Sequence, residues 1–396
     1  MIRRDMRLTT LSSILLLLLI NCFSSCFSGG DGKVTLDWKG VKETSDLPIT
    51  VNFYVENTGS MNGYMCAGSE FKDNVHDFAS KLNLNVQKEN LFFINSQIIP
   101  FKGTTNDYTL NMTPTTFNKF GGNGSSSDLD KMFSLILQQA GPNTVSVFVS
   151  DCILGVPYGQ TKDYLSIART NMEAVFSAYL KRHSDLGVEI FCMESIFEGT
   201  YYQYGKSPRK ISQKRPYYMW VVGPQKAIGM LNKKIRPSDF PHPYKYMVSY
   251  SSCESIPFTI LNGNDLPSSG NTIMQHCNGS KAHFKIRADL SSTLKDDNFL
   301  LNITHYIKKS PLVLIDSVKA IQDYRYTHEI SLSIFDNAHG VENIIVDTQN
   351  TPSWVNAMSD KTGDDLNKTQ GISYIIEGVA DAYKNITLKG IQFTIK

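Results

Sequence analysis

Apolar strands and amphipathic helical segments alternate in this chain from about residue 49 to residue 235. The clearest strand, Thr144–Ser150 (TVSVFVS), is a continuous apolar run of the kind that a parallel sheet buries on both faces. Leu129, Met132 and Ile136 precede it at helical spacing. This alternation predicts an α/β fold with a doubly wound, mostly parallel sheet. The expected strands are Ile49–Val55, Leu91–Ile99, Thr144–Ser150, Gly187–Met193 and Tyr217–Val222.

The character of the sequence changes after residue 236. Pro237, Pro241 and Pro243 mark a linker, and short strand-like runs follow it, with one helical segment at about Ile372–Ala382. The chain of 396 residues is long enough for more than one domain. We therefore expect an α/β domain over residues 46–236, followed by a smaller, mostly β domain over residues 237–396.

The first residues have the order of a secretory signal peptide. Three arginines precede the apolar run Ile14–Ile20, which is short for a membrane span. Two serines then precede Cys26, an arrangement that resembles the lipobox of bacterial lipoproteins. We expect residues 1–25 to be removed, Cys26 to be lipidated and residues 26–45 to form a tether. Lipidation at Cys22 and an ordinary cleaved signal peptide are the alternatives.

The resemblance to lipoproteins also bears on location. Phe27, rather than Asp, follows Cys26, and by the general rule for such proteins this predicts an outer-membrane lipoprotein on the periplasmic or the surface face. The whole chain carries 39 Lys and Arg residues against 37 Asp and Glu residues, which gives no reason to expect a nucleic acid partner. One basic cluster, Lys206–Arg215, suits a solvated insertion or a contact with an acidic glycan or lipid headgroup.

Five cysteines follow Cys26, and their spacing shows no zinc motif. Buried free thiols are one interpretation. If a disulfide forms, Cys253 with Cys277 is the favoured pair because both lie in the expected second domain. The five are Cys66, Cys152, Cys192, Cys253 and Cys277.

Short oxygen-bearing side chains occur where predicted strands end or a helix begins. Glu56, Thr58 and Ser60 follow the first strand, Ser127 ends a Gly/Ser-rich loop before the second helix, and Asp151 follows the strand Thr144–Ser150. In a doubly wound sheet, ligands bind in the crevice beyond the carboxyl ends of the central strands. The sequence therefore predicts that these side chains lie close together.

The three segments resemble the metal-ion-dependent adhesion site of von Willebrand factor type A domains. In that family the first strand ends in Asp-x-Ser-x-Ser, a Thr follows a Gly-rich loop, and an Asp closes a later apolar strand. Here Glu56, Thr58 and Ser60 align with the first motif, Ser127 with the Thr, and Asp151 with the last acid. The resemblance covers about residues 49–235 and implies a divalent cation that binds a ligand.

Two positions depart from the family pattern. Glu56 stands in place of Asp, which extends the carboxylate by one methylene, about 1.5 Å. It either reaches the ion directly or through water, or disables the site. Thr58 for Ser keeps the hydroxyl. Hydroxyl and carboxylate oxygens suit Mg²⁺ or Mn²⁺, with Ca²⁺ as a third candidate, while Thr58 and Ser60 also suit simple capping of the following turn.

These patterns predict a lipid-anchored cell-envelope protein that binds a protein or glycan ligand through this cation site. A metal-free structural or assembly lipoprotein is the first alternative, and an envelope hydrolase is the second. The hydrolase is less favoured because Ser60 lies in Thr58-Gly59-Ser60-Met61-Asn62, which lacks the G-x-S-x-G pattern of a nucleophile elbow. No catalytic residue is predicted.

Overall fold

The computed structural model describes residues 47–125, 127–154, 161–202, 207–252, 255–261, 268–273, 281–335, 337–388 and 390–396. The expected signal peptide, the lipidated Cys26 and the tether lie outside the described residues, as do Cys253 and Cys277. Within the described residues, no helix is long and apolar enough to cross a membrane.

A seven-stranded sheet forms the centre of the fold. Its strands are β1 (Leu47–Glu56), β2 (Val86–Ile94), β3 (Ile98–Pro100), β4 (Thr144–Ser150), β5 (Leu186–Tyr201), β6 (Arg209–Pro224) and β7 (Tyr246–Tyr250). They lie in the order β3-β2-β1-β4-β6-β5-β7. β1 pairs in parallel with both β2 and β4, whereas all other neighbours in the sheet are antiparallel.

The expected α/β class is confirmed, but the sheet is mixed rather than mostly parallel. The difference comes mainly from β5 and β6, which follow each other in the chain and pair antiparallel over sixteen residues each. β4 ends at Ser150 opposite Tyr218, and β6 residues 209–217 therefore extend past the end of β4. The hairpin continues the sheet beyond the edge where the candidate side chains lie.

Helices cover both faces of this sheet. On one face, Phe71, Val75 and Phe78 recur at helical spacing and pack on β1 residues such as Phe53. On the other face, Phe133 packs against β4 and β6 side chains. The helices of this part are α1 (Glu70–Asn85), α2 (Thr105–Leu110), α3 (Leu129–Gln138), α4 (Thr161–Leu180) and α5 (Gln225–Lys234).

Short strands dominate the remainder of the chain and form three smaller sheets. Among the described residues, these have the orders β12-β15-β18-β10-β9, β13-β14-β11-β8 and β16-β17, with strands β8 (Phe258–Leu261), β9 (Ser268–Ser269), β10 (Thr272–Ile273), β11 (Ala282–Ala288), β12 (Tyr306–Lys308), β13 (Val313–Ala320), β14 (His328–Ile334), β15 (Gly340–Val346), β16 (Ser359–Asp360), β17 (Thr369–Gln370) and β18 (Ile391–Ile395). The helices are α6 (Asp297–Leu300), α7 (Trp354–Ala357) and α8 (Ile372–Tyr383).

Segments after residue 236 also complete the core of the main sheet. β7 is its edge strand, and α8 packs on α4, where Ile376 and Val379 share a core with Met172. A side chain at Gly378 would place its Cβ 2.4 Å from Arg169 O, so glycine is what allows the two helices to approach so closely. Residues 45–396 form one compact unit, and the division into domains at residue 236 stays a prediction.

Candidate metal centre

Glu56 is the last residue of β1 and is fully buried. Thr58 Oγ1 donates a hydrogen bond to Glu56 Oε1 at 2.6 Å, and Ser150 Oγ donates to Glu56 Oε2. Because β1 and β4 run in parallel side by side, the carboxyl ends of both strands meet at this edge of the sheet. Both carboxyl oxygens of Glu56 therefore accept hydrogen bonds from hydroxyl groups.

Asp151 follows the last residue of β4 and is also fully buried. Its Oδ1 accepts hydrogen bonds from Ser60 Oγ at 3.2 Å and from Ile153 N at 3.1 Å. Its Oδ2 is buried with no hydrogen-bond partner among the described residues. Cys152, the next residue, has a φ of 53°, in the left-handed region that non-glycine residues rarely adopt. This turn fixes the direction of the Asp151 side chain.

The two hydroxyls of the first motif connect these acids. Thr58 Oγ1 lies 3.1 Å from Ser60 Oγ, so a continuous row of close contacts runs from Glu56 through Thr58 and Ser60 to Asp151. Thr58 precedes the 3-10 turn Gly59–Met65, yet its side chain makes no capping hydrogen bond there. The capping interpretation is therefore wrong for Thr58, because its hydroxyl points to the carboxyl group instead.

Ser127 lies at the same place, on the loop that precedes α3. It is 5% exposed, and its Oγ has no hydrogen bond of ordinary geometry among the described residues, although its hydroxyl is close enough to lower the pKa of Glu56. The loop is held against β1 by a hydrogen bond from Gly59 N to Gly124 O at 3.0 Å. The structure thus brings together all five residues of the predicted site.

Two asparagines that the sequence analysis missed hold this loop in place. Asn95, just after β2, donates through Nδ2 to Asn57 Oδ1 at 2.9 Å and to Gly121 O at 2.8 Å. A Cβ at Gly122, which has a φ of 71°, would lie 1.9 Å from Asn95 Oδ1. The signal in the sequence is an amide side chain at the end of the strand next to β1, combined with a glycine pair in the loop.

Burial and charge perturb both acids in the same direction. Burial is the largest cause that raises the pKa of Asp151, and the negative charge of Glu56 raises it further. Burial likewise raises the pKa of Glu56, against the hydrogen bonds from Ser150 and Thr58 and the nearby hydroxyl of Ser127, which lower it. Two buried carboxylates at one place are costly without a compensating positive charge. The pair therefore requires a proton or a cation.

Arg215 is the charged group whose role the sequence analysis misjudged. The cluster Lys206–Arg215 was expected to be a solvated insertion or a surface contact, and Arg209 and Lys210 are indeed exposed, but Arg215 is 1% exposed. Its guanidinium lies 4.3 Å from the centroid of the Tyr201 ring, and Nη1 donates to Leu366 O at 3.0 Å. Its positive charge lowers the pKa of Asp151.

The donor set fits a hard divalent cation. Within the described residues, no three His, Cys, Asp or Glu side chains converge on one point, so any cation here would depend on two carboxylates together with hydroxyl oxygens. Mg²⁺, Mn²⁺ and Ca²⁺ accept such oxygen ligands, whereas zinc prefers nitrogen and sulfur. Asp151 Oδ2 and Ser127 Oγ are buried acceptors without ordinary partners, as an ion-binding position requires.

The described cysteines take no part in this site as ligands. Cys66, Cys152 and Cys192 are free thiols, and the last two are buried, which agrees with the interpretation of buried free thiols. Cys152 Sγ accepts a hydrogen bond from Trp220 Nε1 at 3.4 Å.

Comparisons with protein-family models, with curated protein sequences and with solved structures gave no match for this chain. Its function is therefore inferred from the site itself.

Proposed function

We propose that this chain binds a protein or glycan ligand in the cell envelope through a divalent cation, Mg²⁺ or Mn²⁺ with Ca²⁺ as a third candidate. Glu56, Thr58, Ser60, Ser127 and Asp151 would hold the ion. One observation carries the proposal: two buried carboxyl groups are joined by hydroxyls at the end of adjacent parallel strands, with Asp151 Oδ2 left unpartnered among the described residues.

The sheet supports the further proposal of an architecture like that of von Willebrand factor type A domains. β2, β1 and β4 are mutually parallel neighbours with helices on both faces, and the candidate ligands follow the carboxyl ends of β1 and β4. This is where α/β sheets with such an order bind ligands. The antiparallel hairpin of β5 and β6 is an addition to that pattern.

The charges explain how such a site would bind a partner. Two carboxylates balance one divalent cation, and the buried guanidinium of Arg215 adds a positive charge that acts on Asp151. The cation, when bound, supplies an open coordination position for an oxygen atom of the ligand. Ser60 is the half-buried ligand of the set, so the ion would be approached from its side. An anionic oxygen of an acidic side chain or an acidic sugar suits this balance.

Location is proposed from the sequence. The signal peptide at residues 1–25 and lipidation at Cys26 would place the protein on the outer membrane, on its periplasmic or surface face. Partners would then be the membrane, through the lipid anchor, and a protein or glycan ligand, with no nucleic acid.

Thermal unfolding in EDTA and in excess Mg²⁺ or Mn²⁺ tests the proposal. We expect the ion to stabilise the wild-type chain by about 2.7 kcal/mol at a hundredfold excess over its dissociation constant. Asp151→Asn should abolish this stabilisation, because it removes one of the two charges that attract the ion. Glu189→Gln is the matched control, since Glu189 is a similarly buried acid in the same sheet, away from the site, and it should keep the full response.

A wild-type melting temperature that neither ion changes would refute the metal centre and favour the metal-free structural lipoprotein. The hydrolase gains no support from the geometry. Ser60 Oγ donates to Asp151, and no histidine among the described residues hydrogen-bonds to Ser60 or to either carboxyl group. A serine nucleophile needs such a base within reach.

A further inference from the structure

A cavity lies at the β7 edge of the main sheet, outside the candidate metal centre. A cavity of about 450 Å³ is lined there by residues 247–249 of β7, by residues 350–353 and by Lys295, Phe299 and His305, together with Asp296. Its size is within the range of small-ligand sites. Neither the candidate metal centre nor the proposed function uses it.

Lys295 supplies the positive charge of this cavity. Its Nζ donates a hydrogen bond to Ser249 O at 2.7 Å and lies 5.1 Å from the centroid of the Phe299 ring. A protonated amine has three N–H donors, and the described residues offer it this one hydrogen-bond acceptor. Burial lowers the pKa of Lys295 to about 8, while the carboxylates of Asp347 and Asp296 act in the opposite direction. The amine is therefore largely charged at neutral pH, and two of its three N–H donors have no hydrogen-bond acceptor among the described residues.

The backbone on both sides of Lys295 is fixed. Leu294 is buried and has a φ of 60°, in the left-handed region. Asp296 is the N-cap of α6, where its Oδ1 accepts a hydrogen bond from Phe299 N at 2.9 Å. The amine itself is held by its hydrogen bond to Ser249 O and by its position over the Phe299 ring. Such preorganisation lowers the entropic cost of binding a ligand.

Polar groups around the lysine suit a ligand with hydroxyls. His305 Nδ1 lies 2.9 Å from Phe299 O, which makes Nδ1 the N–H donor and leaves Nε2 as an acceptor. Ser249 Oγ is buried and has no hydrogen-bond partner among the described residues. Thr351 and Ser353 also line the cavity, with Thr351 Oγ1 2.8 Å from Tyr250 Oη. The cavity thus combines the ammonium of Lys295 and the carboxyl group of Asp296 with several neutral polar groups.

The local charge disfavours a doubly charged ligand. Among the described residues, Lys295 is the one Lys or Arg that lines the cavity, and the carboxylates of Asp296 and Asp347 act on it. Two acids beside one ammonium leave no surplus positive charge for a phosphate dianion, so an anionic group would be held here by direct hydrogen bonds to the ammonium. A carboxylate is the common biological monoanion that accepts hydrogen bonds from an ammonium group.

We propose that this cavity binds a small hydroxylated carboxylate of the size of a sugar acid, with Lys295 as the residue that holds the carboxylate. The ligand hydroxyls would meet His305, Ser249 and the hydroxyls of the 350–353 segment. This site is independent of the cation proposed at Glu56 and Asp151.

Ligand-observed NMR titrations of the full chain test this with two matched probes, glucuronate and glucose, which differ in a carboxylate against a hydroxymethyl group. We expect glucuronate to bind at least about tenfold more tightly, as a charge-assisted hydrogen bond would give. Lys295→Met should remove that preference, whereas Lys233→Met should keep it, because Lys233 lies elsewhere and pairs with Asp289 at 3.1 Å. Equal binding of the two sugars, or a preference that survives Lys295→Met, would overturn the proposal.

Two further measurements keep the test decisive if Lys295→Met does not fold. In the wild-type chain, glucuronate but not glucose should protect Lys295 from acetylation, as read by peptide mass spectrometry, and no protection would contradict the proposal. Glucose 6-phosphate, titrated in the same way, tests whether the cavity binds a phosphate group instead of a carboxylate. If it binds as tightly as glucuronate, the assignment of a carboxylate ligand is wrong.

Discussion

Glu189 and the Glu56–Asp151 pair are both buried acids of the main sheet, but they differ in what can neutralise them. Glu189 lies within β5, where its Oε1 accepts a hydrogen bond from Asn232 Nδ2 at 2.7 Å. Burial raises its pKa to about 8, so a proton satisfies it at neutral pH. The pair has a second carboxyl group and a set of hydroxyls around it, and the proposed cation would use these oxygens in place of the proton.

The difference follows from position in the sheet. A residue in the middle of a strand has neighbours on both sides from other strands, and its surroundings are closed by packing. A residue at a carboxyl end is followed by a turn, and several turns meet there with free side-chain oxygens. A buried acid in the middle of a strand lowers the stability of the fold locally. Two buried acids at the carboxyl ends of adjacent strands can instead become a binding site.

The largest expected effect is on the pH dependence of stability in EDTA. All three acids have a folded-state pKa above the unfolded value, so the folded state binds more protons. Their stabilising contribution is complete below about pH 4 and is lost as pH rises through the folded pKa. We expect melts at pH 5 and pH 8 to show a loss of up to about 1.4 kcal/mol per pH unit for each titrating group.

The same melts separate the two kinds of acid. Glu189→Gln should reduce the loss between pH 5 and pH 8 equally with and without Mg²⁺ or Mn²⁺. The share that belongs to Glu56 and Asp151 should be offset by the ion, because a bound cation replaces the proton. If the ion offsets no part of the loss in the wild-type chain, the distinction between the pair and Glu189 fails.

A smaller effect is expected from two serine substitutions. Ser69 is the N-cap of α1, where its Oγ accepts a hydrogen bond from Lys72 N at 3.3 Å, and Ser69→Ala should cost about 1 kcal/mol with or without an ion. Ser60→Ala should abolish the response to Mg²⁺ or Mn²⁺, because it removes a ligand. Thermal melts of both variants with and without the ion compare them. A Ser60→Ala chain that still responds fully would remove Ser60 from the site.

The smallest effect is expected from Glu56→Asp. Asp is the residue that von Willebrand factor type A domains, which this site resembles, have at this position, so ion binding should be kept or strengthened. We expect the dissociation constant to change by less than about tenfold, or 1.4 kcal/mol. Isothermal titration of Mn²⁺ into the apo protein measures it. Complete loss of binding would show that the longer Glu56 side chain is required for the local geometry.

The five residues of the candidate site could be found from the sequence because each is a local feature. A hydroxyl or acid directly after an apolar strand lies at the strand end whatever the rest of the chain does, and β1 and β4 were predicted in nearly their observed bounds. Their meeting then follows from parallel pairing. The individual hydrogen bonds between Thr58, Ser60 and Asp151 were not predictable at that level.

What the sequence did not show depends on contacts between distant segments. In the sequence, Arg215 looks like a surface residue because it lies in a basic cluster. It is buried because the fold brings it against a distant segment, where it donates a hydrogen bond to Leu366 O, 151 residues later. Lys295 lies between β11 and α6 in the chain, and nothing there marks its contact with Ser249 of β7. The direction of β6 was missed because a hairpin of two long strands gives the same apolar runs as two parallel strands would.

The close approach of α8 to α4 at Gly378 sets an order for folding. The apolar face of α4, which includes Met172 and Phe176, is covered by residues 372–383, about two hundred residues later in the chain. Contacts at such separation form late because loop closure costs entropy first. Until residues 372–383 have been synthesised, α4 therefore carries an uncovered apolar face. A chain that stops before residue 372 would keep that surface open to aggregation, however complete its candidate metal centre is.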